Sequence, residues 1–188
     1  GAGSVNVTTP RIQASGAEAP LVRNAAAGGA YFQAMGIALT RGRFFERMEE
    51  ELGTRNVIIS EAAAKLLFAG EDPIGQQVRP AAGGGGGDAW FTVIGVVEDV
   101  LVDDLRRKSP EPMVYLPGAS TSPAYVIRSA RADQPAPEVR AVLRERIPNS
   151  PMYRIFTMEG LAAKSMASLS FTMVMVSIAA GLALILGA

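Results

Sequence analysis

The chain has 188 residues, which is enough to bury a substantial core, and its 18 basic residues equal its 18 acidic ones. This balance gives no support to binding of nucleic acid or of an anionic membrane surface. Cysteine and histidine are both absent from the sequence, which excludes thiolate nucleophiles, zinc–thiolate sites and imidazole bases.

Two strands and a short helix are predicted near the N-terminus. The β-branched runs at 5–9 and 21–25 each fit a strand, and the polar stretch RIQASGAEAP between them fits a loop. Apolar residues then recur at near-helical spacing over 29–35, and Gly36 follows where a left-handed C-cap would lie. We therefore expect a short helix that ends at this glycine.

A strand and a helix are predicted in direct succession after the polar segment RGRFFERMEEELGTR, which is interpreted as a surface excursion. Residues 56–60 fit the strand, and Ser60 at its end is the expected N-cap of the helix, with Gly70 as its stop. The predicted apolar face of this helix comprises Ala63, Leu66 and Leu67.

A hairpin and two further strands are predicted in the middle of the chain. Residues 74–80 and 90–100 fit the two strands of the hairpin, and the low-complexity stretch 81–87 fits a flexible tip. The segments 110–117 and 122–130 each fit another short strand.

The C-terminal part predicts a helix, a strand and a membrane helix. Residues 135–150 carry apolar side chains at helical spacing, and 152–157 fit a last strand. A helix from Met158 continues into an uncharged run that begins at Ser165, and 171–188 is nearly all apolar. Because this length approaches the roughly 20 residues that cross a bilayer, a transmembrane helix is predicted. Strands and helices mix without strict alternation, which indicates the α+β class.

The five-glycine run at 83–87 is the most obvious candidate for a phosphate-binding loop. Such a loop needs lysine and serine or threonine after its last glycine, whereas Asp88 follows here and would repel a phosphate. The run is therefore interpreted as the flexible tip of the hairpin.

Acidic residues after the second hairpin strand are candidates for a cation site or a carboxylate acid–base pair. They are Glu98, Asp99, Asp103 and Asp104. The spacing of a calcium loop is not completed, and the basic run at 106–108 favours a solvated charged loop.

Two other combinations of residue types are given structural interpretations. Arg41 and Arg43 lie beside the aromatic pair Phe44 and Phe45, as in some nucleic-acid-binding surfaces, but the acidic run 49–51 cancels their field. A packed turn is therefore preferred. Ser60 and Lys65 lack the spacing of a serine–lysine hydrolase. Aromatic residues interpreted as core are Tyr31, Phe32 and Trp90. Since no motif carries a reaction, no catalytic, cofactor-binding or metal site is predicted.

The order of several segments resembles one protein family. These segments are YFQAMGIALTRGRFF, NVIISEAAAKLLFAGEDPIGQQV, FTVIGVVEDV and PMVYLP, followed by the predicted membrane helix. The chain resembles the MacB-like periplasmic core domain leading into FtsX-like permease helices, and most closely the duplicated orphan permeases of acidobacteria. The most specific motifs are YFQAMGI at 31–37, RGR at 41–43, EDPIG at 71–75 and VIGVV at 93–97.

The resemblance implies that residues 1–157 form a two-lobed, mixed-strand extracytoplasmic domain and that 158–188 begin the permease membrane domain. It implies a subunit of an ABC transporter in the bacterial cytoplasmic membrane, which is not an enzyme and holds no cofactor. Implied partners are a separate ATP-binding cassette ATPase, a second permease half in a homo- or pseudo-dimer, and a periplasmic protein. The implied role is to couple ATP-driven helix movement to efflux or release outside the membrane.

Two alternatives stay open from the residues alone. A membrane-anchored module could recruit a periplasmic partner without transport, and the number of membrane helices flanking the chain would separate it from a permease. A carboxylate enzyme would require two acids that converge in a pocket and have separated pKa values.

Overall fold

The computed structural model of the chain describes residues 3–81, 89–101, 109–118 and 125–129, and the single positions 141, 142, 145, 157 and 160. The chain divides into two compact units, Gly1–Ile127 and Arg128–Ala188. All the strands and helices that have assigned bounds lie in the first unit.

The described part of the first unit contains seven strands and four short helices. The strands are β1 (Gly3–Thr8), β2 (Leu21–Ala27), β3 (Leu39–Gly42), β4 (Asn56–Ser60), β5 (Gln77–Pro80), β6 (Phe91–Val97) and β7 (Met113–Pro117). The helices are α1 (Pro10–Ser15), α2 (Tyr31–Met35), α3 (Arg47–Leu52) and α4 (Glu61–Phe68). The α+β class is confirmed for this unit, as are the predicted N-terminal strands, hairpin strands and helix ending at Gly36, with bounds shifted by a few residues.

The expected loop between β1 and β2 contains a helix, so that prediction was wrong. The Thr9 hydroxyl accepts a hydrogen bond from the Ile12 amide at 3.2 Å, and Pro10 occupies the first turn, where its missing N–H costs nothing. Gly16 ends α1 in the left-handed conformation with φ 68°. The capping residues therefore stabilise α1, although the segment has little apolar periodicity.

The segment interpreted as a surface excursion contains the end of β3 and the whole of α3, which the sequence did not predict. The polar helix α3 has a capping box, in which the side chains of Glu46 and Glu49 each accept a hydrogen bond from the backbone of the other. Gly53 ends it with φ 61°. Polar composition misleads here because the inward-facing residue of α3 is itself a carboxylate.

Helix α4 is confirmed, but its buried face was predicted one position off. Ala63, Leu67 and Phe68 are buried, whereas Leu66 is 46% exposed. At about 100° per residue, Leu66 lies roughly 130° from the centre of the face that the other three define. Ala69, with φ 50°, forms the left-handed cap in place of the expected Gly70.

The strand pairings form a closed circuit. The order is β3-β6-β4-β7-β2-β1-β5, and β5 also pairs with β6, so that six strands join end to end while β3 is an additional strand on β6. The pairs β2–β7 and β4–β6 are parallel and the others are antiparallel. Because β4 occupies one edge of β6, both β3 and β5 share the other, β3 at 95–97 and β5 at 91–92.

Two hydrophobic cores lie on opposite faces of these strands. Helix α4 packs in the first core, where β4 contributes Val57 and Ile59, and α2 packs in the second, where β4 contributes Ile58. Because successive side chains of a strand point to opposite faces, an uninterrupted apolar strand is what two cores require. The central strands therefore fix both layers at once.

The remaining sequence predictions meet the structure only in part. Residues 125–129 form no strand, so the strand expected at 122–130 is wrong over that stretch. Residues 141, 142 and 145 are helical, as the helix at 135–150 requires, and residue 160 is helical too. Of the strand at 152–157 only residue 157 is described, and it is not in a strand.

Across the ranges that the structure covers, no helix is both long and apolar enough to cross a membrane. The transmembrane helix predicted at 171–188 lies outside the described residues, as does the glycine run at 83–87.

Candidate functional site

Three of the sequence motifs meet at one edge of β6. A Cβ on Gly42 would clash with the Ile94 carbonyl oxygen and would come within 2.9 Å of the Ile74 side chain. A Cβ on Gly95 would clash with the Arg43 carbonyl oxygen. The Arg43 amide donates to the Ile94 carbonyl at 3.0 Å, which fixes this close approach of the two backbones. We call this crossing of motifs the motif junction.

The EDPIG motif forms the turn that brings Ile74 to the motif junction. The Asp72 carboxylate accepts from the Ile74 amide at 3.2 Å, and the Gln76 side chain donates to the Asp72 carbonyl at 2.7 Å. Gly75, with φ 81°, donates its amide to the Val93 carbonyl at 2.8 Å. The turn is thus bonded both internally and to β6, just before β5 begins.

A charged cleft of about 250 Å³ opens beside the motif junction, between β3 and α4. Its charged lining residues are Arg41, Glu61, Lys65 and Glu71. The Arg41 guanidinium lies 3.8 Å from the Asp72 carboxylate with both side chains largely exposed, so this pair contributes little to stability. Because the charges nearly balance, the cleft selects neither anions nor cations.

A buried carboxylate fastens α3 to β3 and β4. Glu49 accepts two hydrogen bonds from the Arg43 guanidinium, at 2.7 and 2.8 Å, and further ones from the Glu46 amide and the Asn56 side chain. The bonds from Arg43 lower the pKa of Glu49 from 4.5 to about 2, although burial alone would raise it. The same pairing raises the pKa of Arg43. Both groups therefore stay charged at neutral pH, and the helix is held in one orientation.

A second carboxylate holds α3 from another side. Glu50 accepts from the Gly29 amide at 2.8 Å, which ties α3 to the backbone leading into α2. On its outer side, Met48 and Leu52 are one turn apart and are 66% and 71% exposed. The helix thus presents two apolar side chains to the surface from a rigid position.

Two of the residues considered as chemical candidates cap α4 instead. The Ser60 hydroxyl accepts from the Ala63 amide at 3.3 Å and from the Met113 amide at 3.1 Å, so it serves both α4 and β7. The Asp99 carboxylate accepts from the Ala62 amide at 2.8 Å. The capping role expected of Ser60 is confirmed, and Asp99 caps the same end of α4.

Phe44, which was expected to lie in a packed turn, belongs to an aromatic cluster. The Phe32 ring stacks on Phe44 at 5.2 Å and meets Tyr115 edge-on at 5.1 Å. Burial raises the pKa of Tyr115 and, to a lesser degree, that of Tyr31. Both phenols are therefore neutral core groups at physiological pH, and Phe32 is confirmed as core.

The other sequence candidates are not brought together. Glu98 is exposed, Asp103 and Asp104 lie outside the described residues, and Trp90 is half-buried with the Arg79 guanidinium 4.9 Å above its ring. Within the described ranges, no three acidic side chains gather where they could hold a metal ion. Sequence reasoning missed the network around Glu49, for which the spacing of Glu46 and Glu49 before Gly53 was the available signal.

Comparison with known proteins identifies one matching family model. The model described as the MacB-like periplasmic core domain matches residues 2–158. Comparison with curated proteins finds no match. The resemblance drawn from the motifs is therefore confirmed at the level of the family.

One solved structure with a TM-score above 0.5 shows the same fold, and two others are similar to the chain. The extracellular domain of the noncanonical ABC-type transporter YknZ from Gram-positive bacteria has a TM-score of 0.55 and 19% identity, over 83% of this chain and 78% of that one. The periplasmic region of MacB from Actinobacillus actinomycetemcomitans has a TM-score of 0.48 and 19% identity, over 80% and 74%. A domain of a putative permease from Porphyromonas gingivalis has a TM-score of 0.49 and 16% identity, over 85% and 77%.

Proposed function

The chain belongs to the family of MacB-like periplasmic core domains, and we propose that it couples ATP-driven helix movement to efflux or release outside the cytoplasmic membrane. As a domain of this family it is the extracytoplasmic part of an ABC transporter permease. The observation that carries the proposal is the family match over residues 2–158, which includes all but the first residue of the first compact unit.

The construction of the first unit supports a mechanical role. The strand circuit, the motif junction and the capping of α4 tie its elements to one another by hydrogen bonds and by two cores. A unit braced in this way transmits an applied displacement as a rigid body instead of absorbing it internally. A domain outside the membrane needs this rigidity if it is to pass on a movement that begins in the membrane helices.

The proposal assigns ATP hydrolysis to a separate ATP-binding cassette protein and no catalysis to this chain. In support, the sequence lacks histidine, cysteine and a phosphate-binding loop. The candidate residues Ser60 and Asp99 are already engaged as helix caps. We also propose that the predicted helix over 171–188 anchors the domain and that permease halves associate in pairs.

A fluorescence experiment on the complete permease with its ATPase tests the coupling. Because the chain contains no cysteine, a Gln33→Cys substitution on the exposed side of α2 creates a single labelling site in it. In a bilayer with acceptor-labelled lipid headgroups, energy transfer from this site reports the height of the domain above the membrane. We expect the transfer efficiency to differ between the nucleotide-free complex and the complex trapped with ATP and vanadate.

A second labelling site separates movement of the whole unit from local rearrangement. Gln13→Cys places the label on α1, which is exposed and lies in the same unit. Both sites should change together when nucleotide is trapped. Identical efficiencies in the two nucleotide states at both sites would contradict coupling and would favour a recruitment module without transport.

A further inference from the structure

We propose that a hollow at one end of the sheet binds a segment of a partner protein that carries an apolar side chain next to a carboxylate. This inference goes beyond the proposed function, because it names the chemistry of the periplasmic partner that the family resemblance implies. The hollow has a volume of about 280 Å³ and lies where α3 leads into β4, β6 begins and β7 ends.

The floor of the hollow is apolar and its rim is polar. The floor is formed by Ala89, Phe91, Leu116 and Pro117, and the rim includes Thr54 and Arg55. A volume of this size is below that of most small-molecule sites, which span roughly 300–1,000 Å³. It suits one inserted side chain of a larger partner.

Hydrogen bonds fix the backbone of the rim. The Thr54 amide donates to the Glu49 carbonyl at 3.2 Å, and the Arg55 carbonyl accepts from the Thr92 amide at 2.8 Å. The rim is thus bonded to α3, which the buried Glu49 fixes, and to β6. A preorganised rim loses little conformational freedom when a ligand binds.

One accessible charged group on the rim defines the chemistry of the ligand. The Thr54 hydroxyl is buried and offers no accessible atom to a ligand, so this group is Arg55. The Arg55 side chain is exposed, and none of the described carboxylates pairs with it. None of the described residues that line the hollow is acidic. An arginine without a counter-ion among these residues, beside an apolar floor, complements a carboxylate next to an apolar side chain.

Fluorescence anisotropy with designed peptides on the full-length protein tests the proposal without ATP. The probe is fluorescein-labelled Gly-Ser-Leu-Asp-Ser-Gly, compared with peptides in which Asn replaces Asp or Ala replaces Leu. We expect the Leu-Asp peptide to bind most tightly, each change to weaken binding by about tenfold, and added salt to weaken only the peptides that carry Asp.

Variants of the hollow and a matched control test whether the peptide binds in the hollow. Arg55→Gln should weaken the Leu-Asp peptide by about tenfold and leave the Leu-Asn peptide unchanged. Ala89→Leu, which fills the hollow, should weaken both. The control Arg11→Gln removes an exposed charge that does not line the hollow, and its affinity should equal that of the wild type.

Two results would overturn the proposal. The first is equal affinity for the Asp and Asn peptides, or an Arg55→Gln variant that binds as the wild type does while circular dichroism shows it folded. The second is self-association that displaces the peptide and is abolished by Arg55→Gln, which would assign the hollow to a second copy of this chain. Because no ATP is involved, either result leaves the energy-transfer test of coupling untouched.

Discussion

Replacing Glu49 by glutamine removes the charge that fastens α3 to β3 and β4. The pKa of this carboxyl falls from 4.5 to about 2 on folding, which corresponds to about 3 kcal/mol of stability at neutral pH. The side chain of Glu49 is 11% exposed, so little of this is lost to solvent screening, although its partner Arg43 is 46% exposed. We therefore expect Glu49→Gln to lower the free energy of unfolding at pH 7 by about 2–3 kcal/mol.

The pH dependence of this loss follows from the sign of the shift. A lowered pKa means that the stabilisation is complete above pH 4.5 and disappears as the pH falls towards 2. At pH 3 less than half remains, about 1 kcal/mol. The difference between wild type and variant should shrink accordingly when urea unfolding is followed by the fluorescence of Trp90, the single tryptophan of the chain.

A matched variant separates the buried pair from surface charge in general. Glu51 forms a 2.9 Å ion pair with Arg47 on the same helix, but their side chains are 61% and 90% exposed. Glu51→Gln should therefore change stability by less than about 0.5 kcal/mol. A loss as small as this for Glu49→Gln, or a large loss that stays constant from pH 7 to pH 3, would refute the reasoning.

Four further substitutions test the packing of the first unit, each by urea unfolding at pH 7. Gly95→Ala should cost about 1–3 kcal/mol, because the new Cβ would clash with the carbonyl oxygen of Arg43. Ser60→Ala should cost about 1–3 kcal/mol, since two backbone amides lose their acceptor. Leu67→Ala should cost about 2–4 kcal/mol and Leu66→Ala less than about 1 kcal/mol; similar losses for the two leucines would contradict the orientation of α4.

The elements that the sequence predicts well are those whose signals are local. The strand β4 and helix α4 follow from an apolar run, a serine cap and good helix formers, and α2 follows from its spacing before Gly36. Helix α1 also carried a local signal in the Thr9-Pro10 pair, which the polar composition of the segment obscured. Composition is a weaker guide than capping for helices of one or two turns.

Helix α3 and the hollow depend on contacts that no local pattern shows. The inward-facing side of α3 is a glutamate, and it is tolerated only because Arg43 and Asn56 reach it from neighbouring strands. The hollow combines the Thr54–Arg55 rim with the beginning of β6 and the end of β7, which pairing of distant strands brings together. Such sites appear only when the strand order is known.

The motif junction explains why the sequence reveals the family but not the substrate. Gly42 and Gly95 stand where β3 and β6 approach too closely for a side chain, and the EDPIG turn places Ile74 against the same point. These motifs therefore specify how backbones cross, which is a property of the fold. Recognition of a partner has to come from residues that the crossing leaves accessible, and we propose that Arg55 on the rim of the hollow is such a residue. Under the proposed function the junction then serves the transmission of movement, and the hollow serves recognition.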